Sequence, residues 1–256
     1  MSEIGFSSLL VTSDPFEWVW KLEDVGFEVW EVVDEGKHRV EGIRDGIKEV
    51  YETTNLKITS HAPFSDLNIA SVNYPIWSES IRQIKHCIDL MSEFIEFITV
   101  HPGALSPLGM QIPDKVREQV IAGFTEISDH AAEYGIRVGL ENMIDIEMLL
   151  ARTPEEVLGI IENVGRDNLG ITWDVGHSNT TGTIDGFIEI LDKISHVHIH
   201  DNHGRKDEHL PVGAGTIDWE YVMRKLEGFD GKIIIEARSL QDGQEGLNYL
   251  QNITEI

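Results

Sequence analysis

Nine side chains able to bind a metal ion fall at the ends of predicted strands, one or two per strand, from the third strand to the eighth. They are His61, His101, Glu141, Asp174 with His177, His198, Asp207 with His209, and Glu236. Surface His and Asp scattered by chance would not gather at strand ends. Residues so far apart along the chain meet only if the strands run parallel around a common centre. The pattern therefore constrains architecture and chemistry together.

Eight strand–helix alternations can be read. The predicted strands are Ile4–Leu10, Phe27–Val33, Lys57–His61, Ile95–His101, Ile136–Glu141, Leu169–Asp174, His196–His200 and Lys232–Glu236. They are short, rich in Val, Ile and Phe, and mostly followed by turn residues. The segments between them carry apolar residues at three- and four-residue spacing, as helices do. DKVREQVIAGFTEISDHAAEYG is predicted to start with Asp114 as its cap and to stop at Gly135. TPEEVLGIIENVG has Thr153 as cap, Pro154 at the first helical position and Glu156 three residues past the cap, and stops at Gly165. Strands alternating with helices imply a parallel sheet, and eight such units in 256 residues have the dimensions of a single α/β domain, a (β/α)8 TIM barrel spanning residues 1–256.

In such barrels the site lies where the C-terminal ends of the strands open into loops. Period-two alternation places Ile136, Val138 and Leu140 on one face of the fifth strand, and Arg137, Gly139 and Glu141 on the other. Glu141 is then expected in the mouth. By the same parity Val197 and Ile199 face the helices, while His196, His198 and His200 point inward.

Composition narrows the partners. The formal net charge is −25. Such a surface repels phosphate backbones and argues against a nucleic-acid partner. No apolar run reaches the roughly 18 residues needed to cross a bilayer. The first residues, MSEIGFSSLL, lack the basic and apolar regions of a signal peptide, so the cytoplasm is the expected compartment. The single cysteine, Cys87, excludes an internal disulfide and is expected as a small buried hydrophobe. Either a monomer or a homo-oligomer fits the composition.

Each motif has its own chemistry. A carboxylate ending an apolar strand, as in GLENM (Glu141) or KIIIEAR (Glu236), is costly to bury unless it is paired or binds metal. In WDVGH, Asp174 and His177 stand three apart across a glycine that permits a tight turn, within reach of one ion or two neighbouring ones. His, Asp and Glu without thiolate suit a divalent metal, and several imidazoles favour zinc or manganese over magnesium.

These motifs (SHAPF, VHPG, LEN, WDVGH, HIHDN, DEHLPVGAG and the final IE) resemble, in order, the superfamily that unites endonuclease IV with xylose isomerase-like sugar isomerases and epimerases. The resemblance implies a TIM barrel with a metal centre in its mouth, holding one to three ions. On the sugar branch it implies one ion at Glu141, Asp174, His198 and Glu236, with His177 close by. The substrate is then a small carbohydrate, and Glu141 and Glu236 act as base and acid on the proton next to its carbonyl, through a metal-stabilised enediolate. On the endonuclease IV branch all nine residues match the ligands of a trinuclear zinc site that cleaves abasic DNA. Against that branch stand the acidic charge, few cations near the mouth, and Phe64 followed by Ser65 where a base-stack wedge is expected. The reading favoured is a metal-dependent sugar isomerase or epimerase, with catalytic residues Glu141, Glu236 and His177. Arg238, Phe64, Glu31 and Trp173 are the candidate substrate contacts.

Overall fold

The computed structural model describes residues 2–254. Eight strands, β1 (Glu3–Ser8), β2 (Val29–Val33), β3 (Lys57–His61), β4 (Ile95–Val100), β5 (Arg137–Glu141), β6 (Leu169–Asp174), β7 (Ile194–Ile199) and β8 (Lys232–Ala237), pair in sequence order and close into a parallel barrel. The helices are α1 (Leu22–Val25), α2 (Val40–Thr53), α3 (Tyr74–Met91), α4 (Pro113–Ala132), α5 (Pro154–Val164), α6 (Val175–Thr181), α7 (Ile184–Ile188), α8 (Trp219–Lys225) and α9 (Leu240–Thr254). No described helix is long and apolar enough to cross a membrane.

The core lies mainly between barrel and helices. Val138, Leu140, Ile171, Trp173, Val197, Ile199, Ile233 and Ile235 point outward into it and are essentially unexposed. Their inward neighbours are of two kinds. Low in the barrel, Phe97 stacks on His196, with ring centroids 4.6 Å apart. A side chain at Gly139 would collide with Thr172 and Phe97, so that position must be glycine to let the interior close. Toward the C-terminal end the interior turns polar.

Two boundaries differ from expectation in ways that matter. Strands β4 and β7 stop at Val100 and Ile199, so His101 and His200 stand just past their strands, where the backbone turns into the mouth. Glu31 sits in the middle of β2, two residues below Val33. The helix predicted to be capped by Asp114 instead begins at Pro113, after Ile112, with no side-chain cap; Asp114 sits inside the first turn. The cap at Thr153 is as expected: its hydroxyl accepts from the Glu156 amide at 3.4 Å, and α5 ends on left-handed Gly165.

Candidate metal centre in the barrel mouth

The polar interior is a continuous band of imidazoles and carboxylates. Glu141, at the end of β5, is its hub. Its Oε2 is 3.1 Å from His61 Nε2 and 2.9 Å from His101 Nε2; its Oε1 is 3.1 Å from His198 Nδ1. His198 Nδ1 lies equally close, at 3.2 Å, to Glu236 from β8. Asp174, from β6, has a ligand oxygen within 4.8 Å of those of Glu141 and His198. On the other side of Asp174, His177, His200, Asp207 and His209 form a second group. All nine predicted residues thus lie in one mouth, in overlapping groups. His200 and the pair Glu31 and His196 join them; the inward parity of β7 pointed to the two histidines, but nothing local marks them as partners of particular carboxylates.

The local chain orients the rings. His177 Nδ1–H donates to the Asn142 carbonyl at 2.7 Å, and His61 Nδ1–H to that of Ala62 at 2.9 Å, so each presents Nε2 to the centre. Such hydrogen bonds fix tautomer and orientation in metal-binding histidines. Asn142, of the LEN motif, also accepts from the Asp174 amide at 2.7 Å and donates to its carbonyl at 3.0 Å, locking β5 to β6. In HIHDN the last two residues brace the loop. Asp201 accepts from Trp219 Nε1 at 2.8 Å, and Asn202 donates to the Gly176 carbonyl at 2.8 Å.

Beneath this layer Glu31 is 1% exposed. Its Oε2 accepts from the Thr59 hydroxyl at 3.0 Å and lies 2.9 Å from His196 Nε2; its Oε1 lies 2.9 Å from His198 Nε2. The expectation that it meets substrate is therefore corrected: its oxygens face two histidines and a threonine from below the mouth. Trp173 is corrected likewise. Its parity turns it outward, where Nε1–H donates to Ser178 at 2.9 Å and the ring stacks near Phe187. Phe64 does border the mouth, stacked on His101 at 4.6 Å and partly exposed. Arg238 is exposed and donates to the Glu208 carbonyl at 3.2 Å, beside Asp207 and His209.

Electrostatics follow from this crowding. Burial alone would raise the Glu141 carboxyl, but His198 and His101 outweigh it and hold the group well below the usual range. Burial would lower His177, but Asp174, Asp207 and Glu141 push it up to about 10. Glu31, Glu236 and Glu141 likewise overcome burial and raise His198. Without a cation, His177 and His198 tend to carry the positive charge, while burial lowers His101 and His196.

A divalent cation fits these residues. Asp174 Oδ2, His200 Nε2, Asp207 Oδ1 and His209 Nδ1 are buried without a hydrogen-bond partner. Buried polar atoms are normally satisfied, and leaving them bare costs energy. Here they converge on the same centre, and the donor set lacks the soft thiolate that would select other metals.

Fold and site together define a single (β/α)8 barrel with a His–carboxylate cluster at the C-terminal ends of its strands. The family model for the xylose isomerase-like TIM barrel matches residues 19–253, and the chain belongs to that family. It is 37% identical over 264 residues to an uncharacterized protein of Methanocaldococcus jannaschii, covering 99% of this chain and 90% of the other. A crystal structure of a D-tagatose 3-epimerase-like protein superposes with a TM-score of 0.92 at 34% identity, covering 100% of this chain and 97% of that one. A ketose 3-epimerase of Arthrobacter globiformis is 31% identical over 123 residues, 46% of this chain and 40% of its own.

Proposed function

We propose that the protein is a divalent-metal-dependent isomerase or epimerase of a sugar or sugar derivative. The observation that carries the reading is the pair Glu141 and Glu236, brought from different strands to 3.1 and 3.2 Å from one His198 nitrogen, with Asp174 adjacent. The kinship with a ketose 3-epimerase and a D-tagatose 3-epimerase-like protein supports a small carbohydrate as substrate.

Glu141, Asp174, His198 and Glu236 would hold the ion, with zinc or manganese the best match to the donors. When bound, it supplies Lewis-acid polarisation of a carbonyl oxygen. The protein's residues do the rest. One glutamate, as carboxylate, takes the proton from the carbon next to the carbonyl, and the electron pair moves onto the carbonyl oxygen. The other, as carboxylic acid, returns a proton to carbon. Phe64 walls the pocket against His101. His177, its ring fixed by the Asn142 carbonyl, is placed to orient a substrate hydroxyl or to join a second ion. Arg238 borders the same loop and is the candidate contact for an anionic substituent.

The test is isotopic. Incubated with substrate sugars in deuterium oxide, the metal-loaded enzyme is expected to place deuterium on the carbon next to the carbonyl. Turnover without any wash-in would remove proton transfer from the account.

One observation favours a second reading. The donors form several contiguous groups rather than one: His61–His101–Glu141, Glu141–Asp174–His198 and His177–His200–Asp207–His209. That number suits an endonuclease IV-like trinuclear zinc phosphodiesterase acting on abasic DNA. The net charge of −25 opposes it, since a duplex is gripped through its phosphates. Cleavage of abasic-site duplex at catalytic rates would replace the first reading with the second.

A further inference from the structure

We propose that His200 is a metal ligand in its own right. With His177, Asp207 and His209 it forms a four-residue site that clamps the tip of the β7–α8 loop onto the barrel wall. The inference rests on the reading that the mouth holds cations, and adds to it a donor and a role.

His200 is fully buried, yet neither of its ring nitrogens has a hydrogen-bond partner. Its Nδ1 is orphaned and its Nε2 has carboxylates only at ion-pair distance, whereas buried polar atoms are normally hydrogen-bonded. Its Nε2 is aimed into the cluster, 3.3 Å from Asp174 Oδ1 and 3.4 Å from Asp207 Oδ1. His177 Nε2 and His209 Nε2 lie 3.6 Å and 2.9 Å from Asp207 Oδ2. One donor atom from each of the four residues falls within 4.8 Å of every other. Ligands about 2.0–2.1 Å from a tetrahedral zinc stand about 3.4 Å from one another, and the spacings to Asp207, to Oδ1 from His200 and to Oδ2 from His177 and His209, bracket that value.

The chain makes room for this ring. A methyl group on Gly176 would collide with it, so the glycine of WDVGH lets His200 lie against the first turn of α6. The ring stacks on His209 at 3.8 Å. His209 has φ +44, an uncommon conformation for a residue other than glycine. Such strain persists where surrounding structure over-determines it and concentrates at functional sites.

The four donors come from two parts of the molecule. His177 and His200 belong to the barrel wall, at α6 and the exit of β7; Asp207 and His209 belong to the loop 201–218. The Asp201–Leu210 backbone pair closes the base of that loop. One cation would tie its outer part to the wall. Four protein donors leave no open position on a tetrahedral zinc, the mark of a structural rather than a catalytic ion.

The experiment compares the full-length wild type with His200→Asn and His200→Phe, the latter keeping a ring against Gly176. Each is stripped, reloaded with zinc, and assayed for zinc per chain, for melting temperature with and without zinc, and for trypsin cleavage after Arg205 and Lys206, which are exposed in the loop. The wild type is expected to hold one more zinc than either variant. The zinc-induced rise in melting temperature is expected to be smaller in the variants, whatever their metal-free values, with faster nicking at Arg205 and Lys206. An unchanged zinc count overturns the assignment of His200 and leaves the cation reading intact. Variants melting lower by the same amount with and without zinc, at equal zinc content, make His200 a packing residue and overturn it too. A lost zinc with unchanged proteolysis keeps the ligand and removes the clamp. A wild type that takes up no zinc or other divalent ion overturns the reading on which the inference rests.

Discussion

At the scale of single residues, Glu31 shows how the site is supported from below. His198 turns Nδ1 toward Glu141 and Glu236, and Nε2 toward Glu31 at 2.9 Å. A carboxylate behind a ligating histidine fixes its tautomer and raises its basicity, and loss of such partners typically costs about 10- to 100-fold in metal affinity. Glu31→Gln keeps the shape and removes the charge. Chelator competition is expected to show zinc or manganese binding weaker by that factor, in a protein whose circular dichroism is unchanged; equal affinity would make Glu31 a structural partner of His196 alone. Cys87 illustrates the opposite case. Burial, reinforced by Asp34, pushes its thiol up, and its sulfur rests 3.6 Å from Ser60 Oγ. Because the thiolate is the reactive form, iodoacetamide at pH 8 should label the native chain far more slowly than the urea-unfolded chain, as read by intact mass. Cys87 as a buried thiol was legible from its residue type, since a lone free cysteine behaves as a small buried hydrophobe. The role of Glu31 was not: the sequence offered it as a substrate contact, because nothing local shows that the strand across the barrel brings His196 and His198 to it.

At the scale of elements, the strands were legible because parity and turn residues are local. β3 and β6 have the predicted limits, and Glu141, Asp174 and His198 point inward as the alternation requires. Helix starts were less legible. The sequence marked both Asp114 and Thr153 as caps, but only Thr153 sits in extended backbone with its hydroxyl on the amide three residues on. Pro113 takes the first helical position itself and pushes Asp114 into the first turn. The two are expected to part on mutation. Thr153→Ala should cost about 1 kcal/mol, a fall of about 2–4 °C in Tm for a domain of this size. Asp114→Ala gives up only a favourable charge near the helix N-terminus, worth about 0.3–1 kcal/mol and screened by salt. Melting curves at low and high salt separate them: the Thr153 deficit persists in salt, and the Asp114 deficit shrinks.

At the scale of the whole molecule, the barrel mouth packs carboxylates against histidines in a protein that carries −25. A cation bound there would compete with the protons those histidines hold. Ligands must be deprotonated to bind, so metal affinity and proton release are linked. In the metal-free protein His177 is pushed up to about 10, with burial opposed and outweighed by Asp174, Asp207 and Glu141. His198, His61 and His200 are also raised, while His101 and His196 are lowered. A histidine that binds its proton more tightly folded than unfolded stabilises the fold fully below its ordinary value of 6.5 and loses that contribution as pH climbs through the raised one. The Tm of EDTA-stripped protein is therefore expected to fall between pH 6.5 and about 10, the window set by His177. Zinc-loaded protein should melt higher throughout, because a ligand that binds only the folded state stabilises it by mass action, and its slope over that window should flatten once the cation has replaced the protons. Calorimetric titration at pH 7 in two buffers of different ionisation enthalpy should show protons released on zinc binding. Parallel melting profiles with no buffer-dependent heat would mean that the cation, if bound, sits away from His177 and its neighbours.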